Sequence, residues 1–110
     1  IPLAIVGCGG MGHRHLYGLI ELHKAGFNRF ELMAACDPVR DNAESLAAQA
    51  AEFFGRRPTI VNTIEELPPL GVQAVDITTT PRAHHVLAVA AARLKLHMMI
   101  EKPAGVTVRA

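Results

Sequence analysis

The run Pro2-Leu3-Ala4-Ile5-Val6-Gly7-Cys8-Gly9-Gly10-Met11-Gly12 leaves a chain few ways to fold. A short apolar stretch stops abruptly in glycines, and a pattern of helical period opens directly after them. Gly7, Gly9 and Gly12 stand in the spacing G-x-G-x-x-G, and each position makes its own demand. The first lets the chain turn sharply off a strand. The second brings bare backbone close to a pyrophosphate, and the third lets a helix pack tightly on the strand. The first helical N–H groups then face the phosphates, where the helix dipole favours negative charge. Glycine-rich turns are common by themselves. Here a strand-like run precedes the turn and a helix-like run follows it, which is the context the motif requires. Gly10 and Met11, inside the loop, belong to the same candidate dinucleotide site.

The rest of the chain repeats that alternation. Pro2 to Val6 reads as a central strand covered on both faces. A helix from about Gly12 to Ala25 carries Leu16, Leu19, Ile20 and His23 on one stripe, and Gly26 closes it. Phe30 to Cys36 returns as a strand, ending on Asp37-Pro38. A second helix, about Asp41 to Phe54, is followed by a short strand at Pro58 to Val61. Thr63-Ile64-Glu65-Glu66 is a capping-box pattern that starts a one- or two-turn helix, stopped by Pro68-Pro69. Val72 to Thr79 is the next strand, Arg82 to Lys95 an alanine-rich helix, and Leu96 to Ile100 a fifth strand. Val106 to Ala110 reads as the start of another element that is cut off. Strands alternating with helices imply parallel strands joined by right-handed crossovers, hence an α/β fold with a doubly wound parallel sheet.

Composition narrows the functional classes. With 110 residues, half of them hydrophobic, the chain suits a single domain with a real core and is short for a complete two-domain enzyme. A net charge of +1 gives no argument for nucleic acid or an anionic membrane surface. No apolar run approaches the ~20 residues of a membrane helix. Cys8 and Cys36 each end a strand; a disulfide is geometrically conceivable, but reduced, half-buried thiols in a cytoplasmic protein are the expectation. The histidines lack metal-ligand spacing with supporting carboxylates, so no metal is expected. No G-x-x-x-x-G-K-[ST] is present, which argues against a P-loop enzyme.

In a doubly wound sheet, ligands bind beyond the C-terminal ends of the strands. Those ends are the glycine loop, Asp37, the Thr78-Thr79-Thr80-Pro81 turn and Glu101-Lys102-Pro103. Asp37 follows Gly12 by 25 residues. A carboxylate there can accept from both hydroxyls of an adenine ribose and repel a 2′-phosphate, favouring NAD over NADP. Its other role is to open the turn before Pro38 and cap the next helix. Arg40, one turn on, could soften the cofactor preference. His15, beside the phosphate site, is open to a packing role or a contact. Lys102 is either an ordinary surface lysine or, next to a nicotinamide, a proton shuttle and substrate anchor.

Together, the glycine loop with His15 three residues on, Asp37-Pro38, Thr80-Pro81 with a histidine shortly after, and His97 four residues before Glu101-Lys102-Pro103 resemble the N-terminal domain of the Gfo/Idh/MocA oxidoreductases. The resemblance runs over essentially the whole chain. It implies a Rossmann-like dinucleotide-binding domain over residues 1–110, one piece of a longer protein whose second, α+β substrate domain is missing. The implied activity is nicotinamide-dependent transfer of hydride to or from a CH–OH group of a sugar, cyclitol or polyol, with NAD as cofactor and NADP as the alternative. Lys102 matches the family's active-site lysine, and the Lys102-Pro103 bond is often cis in similar proteins. Pro81, Thr79 and Thr80 would lie along the cofactor, with Glu101 and either His84 or His85. Counting back from Glu101 selects His84. A homo-oligomer formed through the missing domain is implied as well, and this piece alone should turn nothing over. The chain departs from the pattern at Lys95-Leu96, where the family usually has a glycine, and at Ala104, where it prefers leucine. A non-catalytic dinucleotide sensor or scaffold is the competing reading.

Overall fold

The computed structural model describes residues 1–26, 30–78, 81–102 and 105–109, and side chains for 1–26, 30–78 and 86–98. The elements are β1 (Pro2–Val6), α1 (Gly10–Lys24), β2 (Glu31–Cys36), α2 (Arg40–Phe54), β3 (Thr59–Val61), β4 (Ala74–Ile77), α3 (Pro81–Arg93), β5 (His97–Lys102) and β6 (Gly105–Arg109). They form one sheet in the order β3-β2-β1-β4-β5-β6. Strands β1 to β5 are parallel, and β6 runs antiparallel to β5. The chain winds outward from β1 through β2 to β3, returns to the other side of β1, and winds outward again from β4. This is the doubly wound, Rossmann-like topology, with its switch point between β1 and β4.

Alternation along each strand sends side chains to two separate cores. Leu3 and Ile5 of β1 pack with Leu16 and Leu19 of α1, and with Ala43, Leu46 and Ala50 of α2. Ala4 and Val6 face the opposite layer, with Val75, Ile77, Ala91, Leu96 and Met98. The pairing of β2 slips by one residue between Leu3↔Leu32 and Ala4↔Ala34. Met33 is therefore the extra residue of a bulge, and Leu32 and Ala35, three apart, both reach the α1/α2 core.

Several boundaries move from their sequence expectations. Helix α1 starts at Gly10, two residues before the expected start, because the turn is complete by Gly9. Pro68-Pro69 does not stop the short helix outright. One 3-10 turn spans Ile64–Glu66, and the prolines open a second at Pro68–Leu70, where a missing N–H costs nothing. Around the first turn, Oε2 of Glu66 accepts from the N–H groups of Asn62 and Thr63, at 2.9 Å each. Those bonds, Thr63 foremost, hold the Glu66 carboxyl below its usual range. Val106–Ala110, read as the start of another element, falls mostly in β6, the edge strand of a hairpin in which Lys102 faces Gly105.

Helix α3 ends without the glycine that the resemblance led one to expect. Leu96 N–H donates to Ala91 at 3.0 Å and Lys95 N–H to Ala92 at 3.1 Å, the paired bonds of a Schellman ending. Lys95 sits at the left-handed position with φ 59°. Leu96, buried at 3% exposure, packs beside Ala91 and stabilises the turn that Lys95 strains.

Candidate functional site

Strand register sets the site. Val61, Cys36, Val6, Ile77 and Ile100 pair across the sheet in one row. The next residue on each strand is Asn62, Asp37, Gly7, Thr78 and Glu101, so the functional candidates share one C-terminal edge. Backbone bonds carry the ladder a step further at three of them. Gly7 N–H donates to Cys36 at 2.8 Å, Thr78 N–H to Val6 at 2.9 Å, and Asp37 N–H to Val61 at 3.1 Å.

The glycine loop lies over the switch point, and its glycines separate by role. Gly7 has φ 96°, a conformation side-chain-bearing residues rarely hold. A Cβ on Gly12 would lie 2.1 Å from the Gly7 carbonyl oxygen. That oxygen also accepts from the Thr78 hydroxyl at 2.6 Å, so β4 and α1 close on it together. Gly9 differs: a Cβ there would meet nothing within 4 Å. It is also the N-cap of α1, which has no side-chain capping bond and no acidic residue in its first turn. Bare backbone therefore faces open space at the positive end of a helix, and the loop fits a pyrophosphate.

Asp37 is 7% exposed; it opens the turn before Pro38 but does not cap α2, whose N-cap is Val39. Its Oδ2 accepts from the Cys8 N–H at 2.7 Å, tying the glycine loop to the end of β2. Its Oδ1 accepts from the Val39 N–H at 2.7 Å, the turn-forming bond. Each carboxylate oxygen has a second lone pair, so these bonds leave acceptor capacity for ribose hydroxyls. Arg40 is directed along α2 to Glu44, at 3.3 Å.

Beside Asp37 opens a groove of about 470 Å³, lined by Gly7, Pro38, Asn62, Thr63, Val86 and core residues of the α3 layer. It lies on the Asp37 side of the glycine loop, where the adenosine half of a dinucleotide belongs. Asn62 escaped the sequence reading, and Thr63 entered it only as a helix cap. The signal was available: β3 is a parallel strand, so the residue after Val61 had to share the edge.

Cys8 and Cys36 are free thiols, fully rather than half buried. Burial, reinforced by the Asp37 charge, pushes each up to about 12. His13 lies over the loop, with Nδ1 2.9 Å from the Gly9 carbonyl. His15, open in sequence to packing, the surface or a phosphate contact, has its Nδ1 2.6 Å from Oδ2 of Asp76, a β4 residue with no role in the sequence reading. Thr79 and Thr80 lie outside the described residues, as do the side chains of Pro81, His84, His85, Glu101 and Lys102 and the Lys102-Pro103 bond. The backbone of Lys102 is the last position of β5, beyond the shared row. Among the described residues no cluster of His, Cys, Asp or Glu could hold a metal ion, and no helix is long and apolar enough to cross a membrane.

Comparison with known proteins agrees with this geometry. The model of the GFO_IDH_MocA oxidoreductase family, NAD-binding Rossmann fold, matches residues 1–110. Among solved structures, an oxidoreductase from Thermotoga maritima is 32% identical with a TM-score of 0.78, over 96% of this chain and 30% of that one. GenD2 from gentamicin A biosynthesis, solved in complex with NAD, is 25% identical with a TM-score of 0.75, over 94% and 27%. The myo-inositol dehydrogenase of Lactobacillus casei, in complex with NAD(H) and myo-inositol, is 21% identical with a TM-score of 0.74, over 96% and 29%. The last shares the fold. No curated protein matches by sequence. The chain spans less than a third of the length of these solved relatives.

Proposed function

The chain belongs to the Gfo/Idh/MocA oxidoreductase family as its NAD-binding Rossmann domain, and from that premise we propose that it serves a dehydrogenase acting on a sugar, cyclitol or polyol hydroxyl. The observation that carries the proposal is the shared row, which puts Gly7, Asp37, Thr78 and Glu101 on one edge with Lys102 next in line. The first-turn N–H groups of α1 and the open face of Gly9 hold the pyrophosphate. Asp37 accepts from the adenine ribose hydroxyls, with the Asn62–Thr63 groove beside it. The family resemblance assigns Thr79, Thr80, Pro81 and His84 to the rest of the cofactor.

Bound NAD supplies the hydride acceptor. The Lys102 amine, together with a group from a second domain, would handle the hydroxyl proton as the alcohol is oxidised to a carbonyl. A group from a second domain, outside residues 1–110, completes the substrate pocket, and the oligomer forms through that domain. Residues 1–110 alone then bind cofactor without turnover.

The experiment is calorimetric titration with NADH and with NADPH, on the chain and on Asp37→Ala. The expected result is preference for NADH that the variant loses. Because Asp37 also holds the Cys8 N–H, the variant loosens the loop, but that weakens both cofactors alike. The NADH-to-NADPH ratio therefore isolates the ribose contact, and an unchanged ratio refutes it. In the longer protein, Lys102→Ala should abolish turnover while cofactor binding persists. Turnover that survives the change would refute the role of Lys102, whereas a protein that has no turnover and keeps its cellular function in Lys102→Ala would favour the sensor reading.

A further inference from the structure

Among the described residues the buried charged side chains are Asp37 and Asp76. Asp37 holds the glycine loop from β2, on one side of β1. Asp76 stands in β4, on the other side, between Val75 and Ile77 in a strand buried at all four positions. A carboxylate there weakens the fold unless it is well paired, because burial takes it out of water. Valine would suit the strand better. Yet its Oδ2 lies 2.6 Å from Nδ1 of His15, with side chains only 9% and 12% exposed. Its Oδ1 is buried with no hydrogen-bond partner among the described residues. His15 sits in the second turn of α1, directly behind the N–H groups at the phosphate end. The pair borders a cleft of about 340 Å³ between α1 and the sheet, so apolar packing alone leaves that side of the helix loosely held.

We propose that Asp76 and His15 are positioning residues of the dinucleotide site. Asp76 fixes the rotation and height of α1 from β4, as Asp37 fixes the loop from β2. The stretch from Cys8 to His15 is thus gripped on both sides of the switch point, and the first-turn N–H groups are held at one setting. The inference rests on the glycine loop being the phosphate site, and not on the role of Lys102.

The test is NADH titration of the isotopically labelled chain, following the amide resonances of Gly9 to Gly12 and the affinity together. Three variants separate positioning from stability. Asp76→Val with His15→Leu replaces the pair by apolar side chains; it should be at least as resistant to urea as the parent, yet bind NADH about tenfold more weakly, with the loop amides displaced before cofactor is added. Asp76→Ser is too short to reach His15 and should weaken binding similarly. Asp76→Asn keeps an acceptor for the Nδ1–H and should restore affinity to within about threefold of the parent. Parental affinity and unmoved amides in the double variant or in Asp76→Ser overturn the proposal, as does failure of Asp76→Asn to rescue. If NADH shifts no loop amide in the parent, the site reading has failed instead.

Discussion

Two glycines of one helix should respond to the same substitution with opposite signs. In Gly12→Ala the new Cβ would stand 2.1 Å from the Gly7 carbonyl oxygen, so contact must open by roughly an ångström before the distance becomes tolerable. The oxygen cannot simply retreat, because Thr78 holds it at 2.6 Å and Gly7 is the turn residue at φ 96°. Helix α1 has to lift. Because the obstacle is held backbone rather than a flexible side chain, the cost falls in the upper part of the overpacking range, about 2–3 kcal/mol, offset by about 1 kcal/mol of better helix propensity, so the expected net loss is about 1–2 kcal/mol. Gly18→Ala is the control: it lies mid-helix, where a Cβ meets nothing within 4 Å, and should stabilise by about 0.5–1 kcal/mol. Urea denaturation reads both, and the Gly12→Ala midpoint should fall by about 0.5–1 M. Because the lifted helix carries the first-turn N–H groups, NADH affinity should also fall, by about tenfold or more. A Gly12→Ala protein as stable as Gly18→Ala, with parental NADH affinity, would refute the close-packing argument.

Other consequences follow from the backbone and the buried thiols. Lys95 holds φ 59° at the Schellman position, so Lys95→Gly should raise stability by about 0.5–1 kcal/mol in the same urea assay; no gain would mean the left-handed turn is unstrained. Cys8 and Cys36, raised from 9.0 to about 12, should resist alkylation at pH 8 until urea unfolds the chain. The same shift makes stability pH-dependent. Above the ordinary thiol value the unfolded chain loses protons that the folded one keeps, so their contribution is full below about pH 9 and fades toward pH 12, by up to about 1.4 kcal/mol per pH unit for each thiol. Denaturation midpoints that stay flat over that range in the parent and in a Cys8→Ala, Cys36→Ala variant alike would contradict it.

The sheet was legible because apolar runs and helical stripes alternate with little ambiguity, and the glycine loop was legible because its spacing encodes three different steric demands. Gly7, Gly9 and Gly12 meet those demands in turn, by positive φ, open space and close contact. What local pattern could not convey was anything set by register. The Met33 bulge leaves no mark on the string Glu-Leu-Met-Ala-Ala-Cys. The left-handed turn at Lys95 carries none of the residues that usually announce one. Leu96 supplies the hydrophobic half of that motif instead. The strand Gly105–Arg109 is legible only as the start of another element, because ending β5 at Ile100, two residues early, hides its hairpin partner.

Asp76 shows the same limit at the site itself. In sequence it is one acidic residue inside Val-Asp-Ile-Thr, in a run read simply as strand. Its significance depends on β4 lying beside β1 rather than beside β3, a consequence of the winding order. Only then does position 76 face the second turn of α1, where His15 waits 61 residues earlier in the chain. The strand neighbours of β1 thus each contribute a carboxylate to the loop between them. One is at a strand's end, where sequence logic looks for ligands, and the other is one residue inside the opposite strand's end, where that logic expects core. A reading confined to strand ends finds the groups that face a cofactor and overlooks those that hold the first group still.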